Sequence, residues 1–521
     1  MNRSTTLSRR LSGSLAIVLC SGLGVSMAQA QELNAQGWSV FEPSDDSRFI
    51  FVSESEGNDA NSGLSPMLAV KTLDRATSLI RADSADWVLL KRGDVWNEGL
   101  GWWDISGRSD SERIVLTTYG DAVERPKLVI SEGRAIGGKY HREVGNLAII
   151  GLHFEADREG TQGVSGITWL STGANLLIED CYIGGFKDNV TCQASDGLFE
   201  NFAIRRSVVV DSWSVGSHSQ GLYVANTQGL VIEDNLFDHN GWNTSVSGAD
   251  PTIYNQNVYL QASTTGTEFH GNLTARASGA GVQMRRGGNA SHNLAYANPL
   301  GIRFGYSTLS WPETAATGRL EKNVVLGGEL SDGSLLGSGT GVWFERVNNA
   351  VVVDNVVAQL GDGSVNWAYS FHGFAGGVEF LDNVSSDWGV AVKLAAEIDG
   401  GVQITGNEFN TPGASRIVEV WHMDGVEFED NSLLGFGSEE DAFFVEGDRI
   451  NFAEWEAFDN VDGDEMGYGN ELVSRNLDQY AQSIGFEDAQ GLLAAARNQS
   501  RRNWDPRLTG RAASDWIRAG Y

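Results

Sequence analysis

GLYVAN (221–226), NVYLQA (257–262), GVQMRR (281–286) and GIRFGY (301–306) are four versions of one short pattern in which apolar and polar residues alternate at period two. Successive side chains of an extended chain point to opposite faces, so this alternation marks a half-buried strand. Each stretch is one strand of a repeating coil. The stretch from His218 to Tyr306 therefore decides how the rest of the chain is read.

A second apolar alternation ending in asparagine follows these strands, as in GLVIEDNLF, GTEFHGNLT, LEKNVVL, NAVVVDNVV and GVEFLDNVS. The closing residues are Asn235, Asn272, Asn293, Asn323, Asn355, Asn383, Asn407 and Asn431, spaced by 37, 21, 30, 32, 28, 24 and 24 residues. The shortest spacings suit one turn of a solenoid, and the longer ones suit turns with a loop inserted. Stacked asparagines can hydrogen-bond along the stack and satisfy buried amides.

This ladder and the glycine-opened strands resemble the right-handed parallel β-helix of the pectate-lyase-like superfamily, over roughly residues 50–435. The resemblance implies an all-β, right-handed parallel β-helix with an N-terminal helical cap and a small C-terminal helical cap. The organisation expected for the chain is a signal peptide at 1–30, the N-terminal cap and first coils at 31–135, the β-helix with its cleft loops at 136–436, and the C-terminal helical cap at 437–521.

Composition agrees with one long solenoid: 521 residues, 64 glycines and 8 prolines. Residues 1–30 read as a secretory signal, with Arg3, Arg9 and Arg10 before an apolar run and cleavage after Ala30. The expected product is secreted or periplasmic, without membrane insertion, and a monomer. Loss of those three arginines takes the formal charge from −31 to −34, since 34 basic residues then face 68 acidic ones. Such acidity argues against nucleic acid, which needs a basic face. An anionic polysaccharide could still bind at a local basic patch. Of the cysteines left, Cys181 falls at a ladder position and Cys192 points inward, which leaves a disulfide and two buried thiols as alternatives.

A helix is expected from about Val70 to Arg81 as the N-terminal cap. Asp59 in the turn before it could take Ca²⁺, although no cofactor is required by any motif and no metal is expected. Two insertions, Asp238 to Tyr254 and Ser307 to Thr317, adjoin the central strands and are expected to build a cleft. Beyond about residue 437, NLDQYAQSIGF, DAQGLLAAARNQSRRNW and AASDWIRAGY are helical and are expected to cap the last coil. Arg501 and Arg502 are assigned there to packing.

Period two places Tyr223, Tyr259, Gln283, Arg303, Trp343 and Ser370 in one outward column. Ala225, Gln261, Arg285, Gly305, Glu345 and His372 form its neighbour. Gln220 and Gln256 repeat three residues before the tyrosines, and His218 stands where Tyr254 stands in the next coil. Aromatic faces stack on sugars, amides bind hydroxyls and arginine forks bind carboxylates. Tyr259, Tyr223, His218 and Arg285 are the catalytic candidates. Arg303, Arg286, Gln283, Gln261, Gln256, Gln220 and Trp343 are the substrate-binding ones. His239, His270 and His292 fall away from these columns and are structural.

The site resembles that of β-helix polysaccharide lyases acting on alginate or related polyuronates, which implies β-elimination. An arginine would neutralise the uronate carboxylate, and a tyrosine made more acidic by that arginine, or a histidine, would move the C5 proton. Some lyases of this kind use a lysine and an arginine one coil apart, whereas the coil before Arg285 offers Gln261. The polygalacturonase-type hydrolase signatures are missing, although Asp238 and Asp250 keep hydrolysis open. A C5-epimerase would carry Asp-Pro-His-Asp, of which only Asp250-Pro251 is present. A non-catalytic polysaccharide-binding adhesin is the remaining alternative.

Overall fold

The computed structural model describes residues 32–157, 163–328, 339–358, 367–411, 416–434, 442–467 and 475–521, so the expected signal segment lies outside the described residues. The chain divides into a short unit ending at Val40 and a long one from Phe41 to Tyr521. In the short unit Asn34 Oδ1 accepts the backbone N–H of Gln36 and of Trp38, closing a turn. The long unit is an all-β, right-handed parallel β-helix.

Its strands form three faces. The cleft face runs from Gly101–Trp103 to Phe443–Val445, and the second face from Phe49–Val52 to Val461–Asp462. These two join into one 28-stranded sheet because Thr340–Val353 runs through both. The third face is a separate 14-stranded sheet from Val95–Trp96 to Glu465–Gly467. Period two behaves as expected: Leu222 and Val224 are fully buried while Tyr223 between them stands half-buried. Each such inward aliphatic contributes roughly 1.5–3 kcal/mol of burial.

The asparagine ladder lies inside the turn between the second and third faces. Asn235 Nδ2 donates to Asn272 Oδ1 (3.0 Å), and the relay continues rung by rung to Asn431, whose Nδ2 donates to Asp464 Oδ1 (2.9 Å). Each rung follows a residue in the left-handed region, such as Asp234 (φ 52°) or Asp354 (φ 58°), which turns the chain and aims the amide inward. At the other end Ser207 replaces asparagine, its N–H donating to Asn235 Oδ1. Cys181 occupies the rung before it, its N–H donating to Ser207 Oγ. A second ladder, Asn189, Asn240, Asn257 and Asn298, is equally buried. Cys181 and Cys192 are free thiols, and burial pushes both up to about 12.

Two expectations change. The N-terminal helix is Leu73–Thr77, shorter than 70–81, because Val70 bridges to Val52 and Thr72 caps the helix through the Arg75 N–H. Asp59 is engaged at that start, its carboxylate accepting the N–H groups of Lys71 and Thr72 and the Thr72 hydroxyl. The helices Leu477–Ser483, Ala489–Arg497 and Gly510–Arg518 do not cover the last coil. They lie along the outer side of the third face, where Leu492, Leu493 and Ile517 pack on Leu236, Leu273 and Leu326. Arg497 ties them down through Asp211 and Asp238, and Arg502 donates to the carbonyls of Gly120, Asp121 and Ala122. The last coil is covered by the short helix Phe452–Trp455, whose Trp455 stacks on Phe443 (4.6 Å).

Candidate functional site

The outward column is continuous on the cleft face. Backbone register pairs Thr191 with Tyr223, Tyr223 with Tyr259, Tyr259 with Gln283, Gln283 with Arg303, and Arg303 with Trp343. It continues through Ser370, Lys393 and Glu419 to Phe444. The neighbouring column sets Gly305 beside Glu345 and Glu345 beside His372. Coils stacked about 4.8 Å apart thus hold these groups in line. Gly305 is required there: at φ 102° its chain passes so close to Glu345 that an added Cβ would lie 1.9 Å from the Glu345 carbonyl oxygen.

Around Tyr259 the polar groups form a relay. Arg285 Nη1 donates to Gln261 Oε1 (2.9 Å), and Gln261 Nε2 donates to the Tyr259 hydroxyl oxygen (3.3 Å). The phenol proton is thereby left to point away from Gln261. The Arg285 guanidinium lies over two rings, 3.6 Å from the Tyr306 centroid and 4.6 Å from that of Tyr259. Tyr223 meets Tyr259 edge to face at 5.3 Å. Burial pushes Tyr259 up to about 12, outweighing the lowering by Arg285. The expectation that a neighbouring cation would ease this phenol toward ionisation is therefore overturned, because desolvation of the phenolate is the larger effect.

Further along, Arg303 Nη2 pairs with Glu345 Oε2 (2.6 Å), and Trp343 stacks flat on His372 (4.1 Å, 14°). His372 Nε2 meets Ser370 Oγ at 2.7 Å. Burial, with Lys393 and Arg303 nearby, pushes His372 down to about 4. Four buried donors on three consecutive coils have no acceptor among the described residues: Gln283 Nε2, Arg285 Nε, Arg303 Nε and Trp343 Nε1. Gln283 itself is 3% exposed. A buried N–H without an acceptor costs about 1–3 kcal/mol, so the cleft favours an acceptor-rich occupant.

Other candidates are not brought to this point. Gln220 and Gln256 are buried, and their amides are engaged with the backbone of the insertion. Gln220 Nε2 donates to Tyr254 O (2.7 Å) and its Oε1 accepts the Gln256 N–H (2.6 Å), while Gln256 Nε2 donates to Ile253 O (2.6 Å). They hold the loop backbone in place. His218 is exposed beside the Tyr254 ring and lies five residues, up to about 16 Å of extended chain, from Tyr223. Arg286 follows Arg285 in the turn and has no ion-pair partner among the described residues. Asp238, which kept hydrolysis open, is buried on the third face between Arg276 and Arg497. His239, His270 and His292 are bound to Asp211, Glu268 and Asp515, outside the cleft columns. Tyr306 and the groups beyond Ser370 were not among the candidates. Carrying the same register into GVAVKL and IVEVWH would have found Lys393, Glu419 and Trp421.

The chain matches no family model and no curated protein. It is similar in structure to the lacto-N-biosidase of glycoside hydrolase family 136 from Eubacterium ramulus (13% identity, 81% of this chain and 68% of that one, TM-score 0.38). It is also similar to the A-module of the Azotobacter vinelandii mannuronan C-5 epimerase AlgE4 (14%, 74% and 90%, 0.39). A third likeness is to the tailspike protein of E. coli bacteriophage HK620 (12%, 72% and 73%, 0.44).

Proposed function

We propose that the protein is a polysaccharide lyase that cleaves an anionic, uronate-containing polymer by β-elimination in the cleft lined by Tyr223, Tyr259, Arg285 and Arg303. The observation that carries this reading is the line of buried donors without acceptors beside a tyrosine whose proton is free to leave the relay. A uronate carboxylate supplies the acceptors, and its pairing with Arg285 and Arg303 stabilises the charge that builds as C5 loses its proton. The C5–H electron pair then forms the C4=C5 double bond, and the C4–O bond breaks onto the leaving oxygen. Tyr259, held protonated, donates to that oxygen, and its phenolate is met by Gln261 and Arg285. Tyr223 on the adjacent coil, acting as its phenolate, takes the C5 proton, and a proton passed from Tyr223 back to Tyr259 after the sugar leaves resets both groups.

Hydrolysis is less well supported by the same face. Glu345 and Glu419, the carboxylates on the two columns, stand three coils apart, about 14 Å, beyond the separations glycosidases use. The test is incubation with a panel of polyuronates in D₂O. Ultraviolet absorbance of unsaturated uronate with new reducing ends is the expected result. Reducing ends without absorbance would mean hydrolysis, deuterium at C5 without cleavage would mean epimerisation, and retention without either would mean an adhesin.

A further inference from the structure

We infer a second anion-binding subsite at the far end of the cleft, centred on Lys393, which holds a uronate of the same polymer several sugars away from Tyr259. It rests on reading the cleft as a polyuronate site. Lys393 lies five coils, about 24 Å, from Tyr259 in the same column. Its ammonium sits 4.2 Å from the Trp367 ring centroid, 5.5 Å from that of Trp421 and 3.3 Å from Glu419 Oε1. Glu419 also accepts from Trp421 Nε1 (3.0 Å) and pairs with Arg416 Nη1 (3.3 Å). Two cations thus share one carboxylate, which leaves a local charge of +1 in a chain of −31.

Two features point to an occupant. Arg416 Nε is buried without an acceptor among the described residues, and Trp421 is 48% exposed beside it. An ammonium with donors to spare, a guanidinium with an unmatched N–H and an open indole suit a sugar ring that carries a carboxylate. A neutral sugar would leave the cation excess unmatched. His372, neutral through the physiological range, adds no competing charge between this group and Arg303.

The test compares Lys393→Met and Trp421→Ala with the wild type on a polyuronate and on its trimer, and in native gels cast with the polymer. Trp421 stands half in solvent, so its replacement leaves the core intact even if Lys393→Met does not fold. In each variant the ratio of kcat/KM on polymer to that on trimer should fall about tenfold, through KM, and gel retardation should weaken. Equal losses on polymer and trimer, or unchanged retardation, overturn the subsite and leave the proposed lyase standing. If the protein is retarded but cleaves nothing, retardation alone decides, and the variants must lose it. A wild-type protein that neither cleaves nor is retarded by any polyuronate overturns both readings.

Discussion

Replacing Asn355 by alanine tests what holds the coil stack together. Its Oδ1 accepts both the backbone N–H and the Nδ2 of Asn323 (2.9 Å each), and its Nδ2 donates to Asn383 Oδ1 (2.9 Å) and Leu320 O (3.0 Å). After truncation Asn323 Nδ2 keeps Ala290 O, and Asn383 Oδ1 keeps the Asn355 N–H. The Asn323 N–H keeps nothing. One orphaned buried N–H costs about 1–3 kcal/mol and two weakened amides about 1 kcal/mol each, so the variant should lose roughly 3–5 kcal/mol. Asn201, whose amide donates to Asn175 Oδ1 on a half-buried turn, is the control, and Asn201→Ala should lose about 2–3 kcal/mol, about 1 from the amide and about 1–2 from alanine at φ 56°. Denaturant midpoints measure both, and turnover per folded molecule should be unchanged in each. The ladder argument is refuted if Asn355→Ala costs no more than Asn201→Ala, or if it removes activity without removing stability.

Tyr259→Phe should lower kcat by about 10²–10⁴ and leave substrate affinity within about threefold, since only the proton donor is lost and the ring stays. Near wild-type kcat in both Tyr259→Phe and Tyr223→Phe would sink the elimination mechanism. Arg285→Lys keeps the charge but loses the planar fork and the stacking, and kcat/KM on a polyuronate should fall about tenfold or more; an unchanged value would misplace the cleft. His372, pushed down to about 4 in the folded chain against about 6.5 when unfolded, gives a pH test of stability. The unfolded chain binds the proton first as pH falls, so stability present above pH ~6.5 should drop by up to about 3 kcal/mol on the way to pH ~4. His372→Asn should flatten that slope, and a parallel slope in the variant would assign it to other groups.

The strand register was legible because period two is dictated by the backbone, and every predicted neighbour from Tyr223 to Ser370 pairs as read. That periodicity ends where a strand ends. Gln220 and Gln256 sit at the mouths of their strands, where the side chains turn back to the loop backbone, and spacing alone does not say so. The second ladder escaped because the insertions make its intervals irregular. Helical capping of the last coil was the natural reading of an amphipathic C-terminus. A contrary signal lay in the third-face strands, where Val208, Val209 and Val210 are all apolar and all buried. A strand buried on both sides needs a cover, and the helices supply it. The state of Tyr259 depends on burial by residues from several coils, which no local pattern carries.

Under the proposed function, the partners of the cleft cations say where the chemistry would belong. Arg303 is matched by Glu345, and Lys393 and Arg416 share Glu419, so an incoming carboxylate must compete with a protein carboxylate at each. Arg285 is held differently, between the Tyr306 and Tyr259 rings and by the neutral Gln261, with no acidic partner among the described residues. Its charge is desolvated on its faces and its buried Nε has no acceptor among the described residues, so a substrate carboxylate that reaches it meets no rival. Pairing there draws charge toward the one tyrosine joined to Arg285 through Gln261, whereas pairing at Lys393 is remote from any phenol of the column. On that reading an acidic chain would receive a polyanion along the cations of this one face, grip it at the Lys393 end and react with it at the Arg285 end.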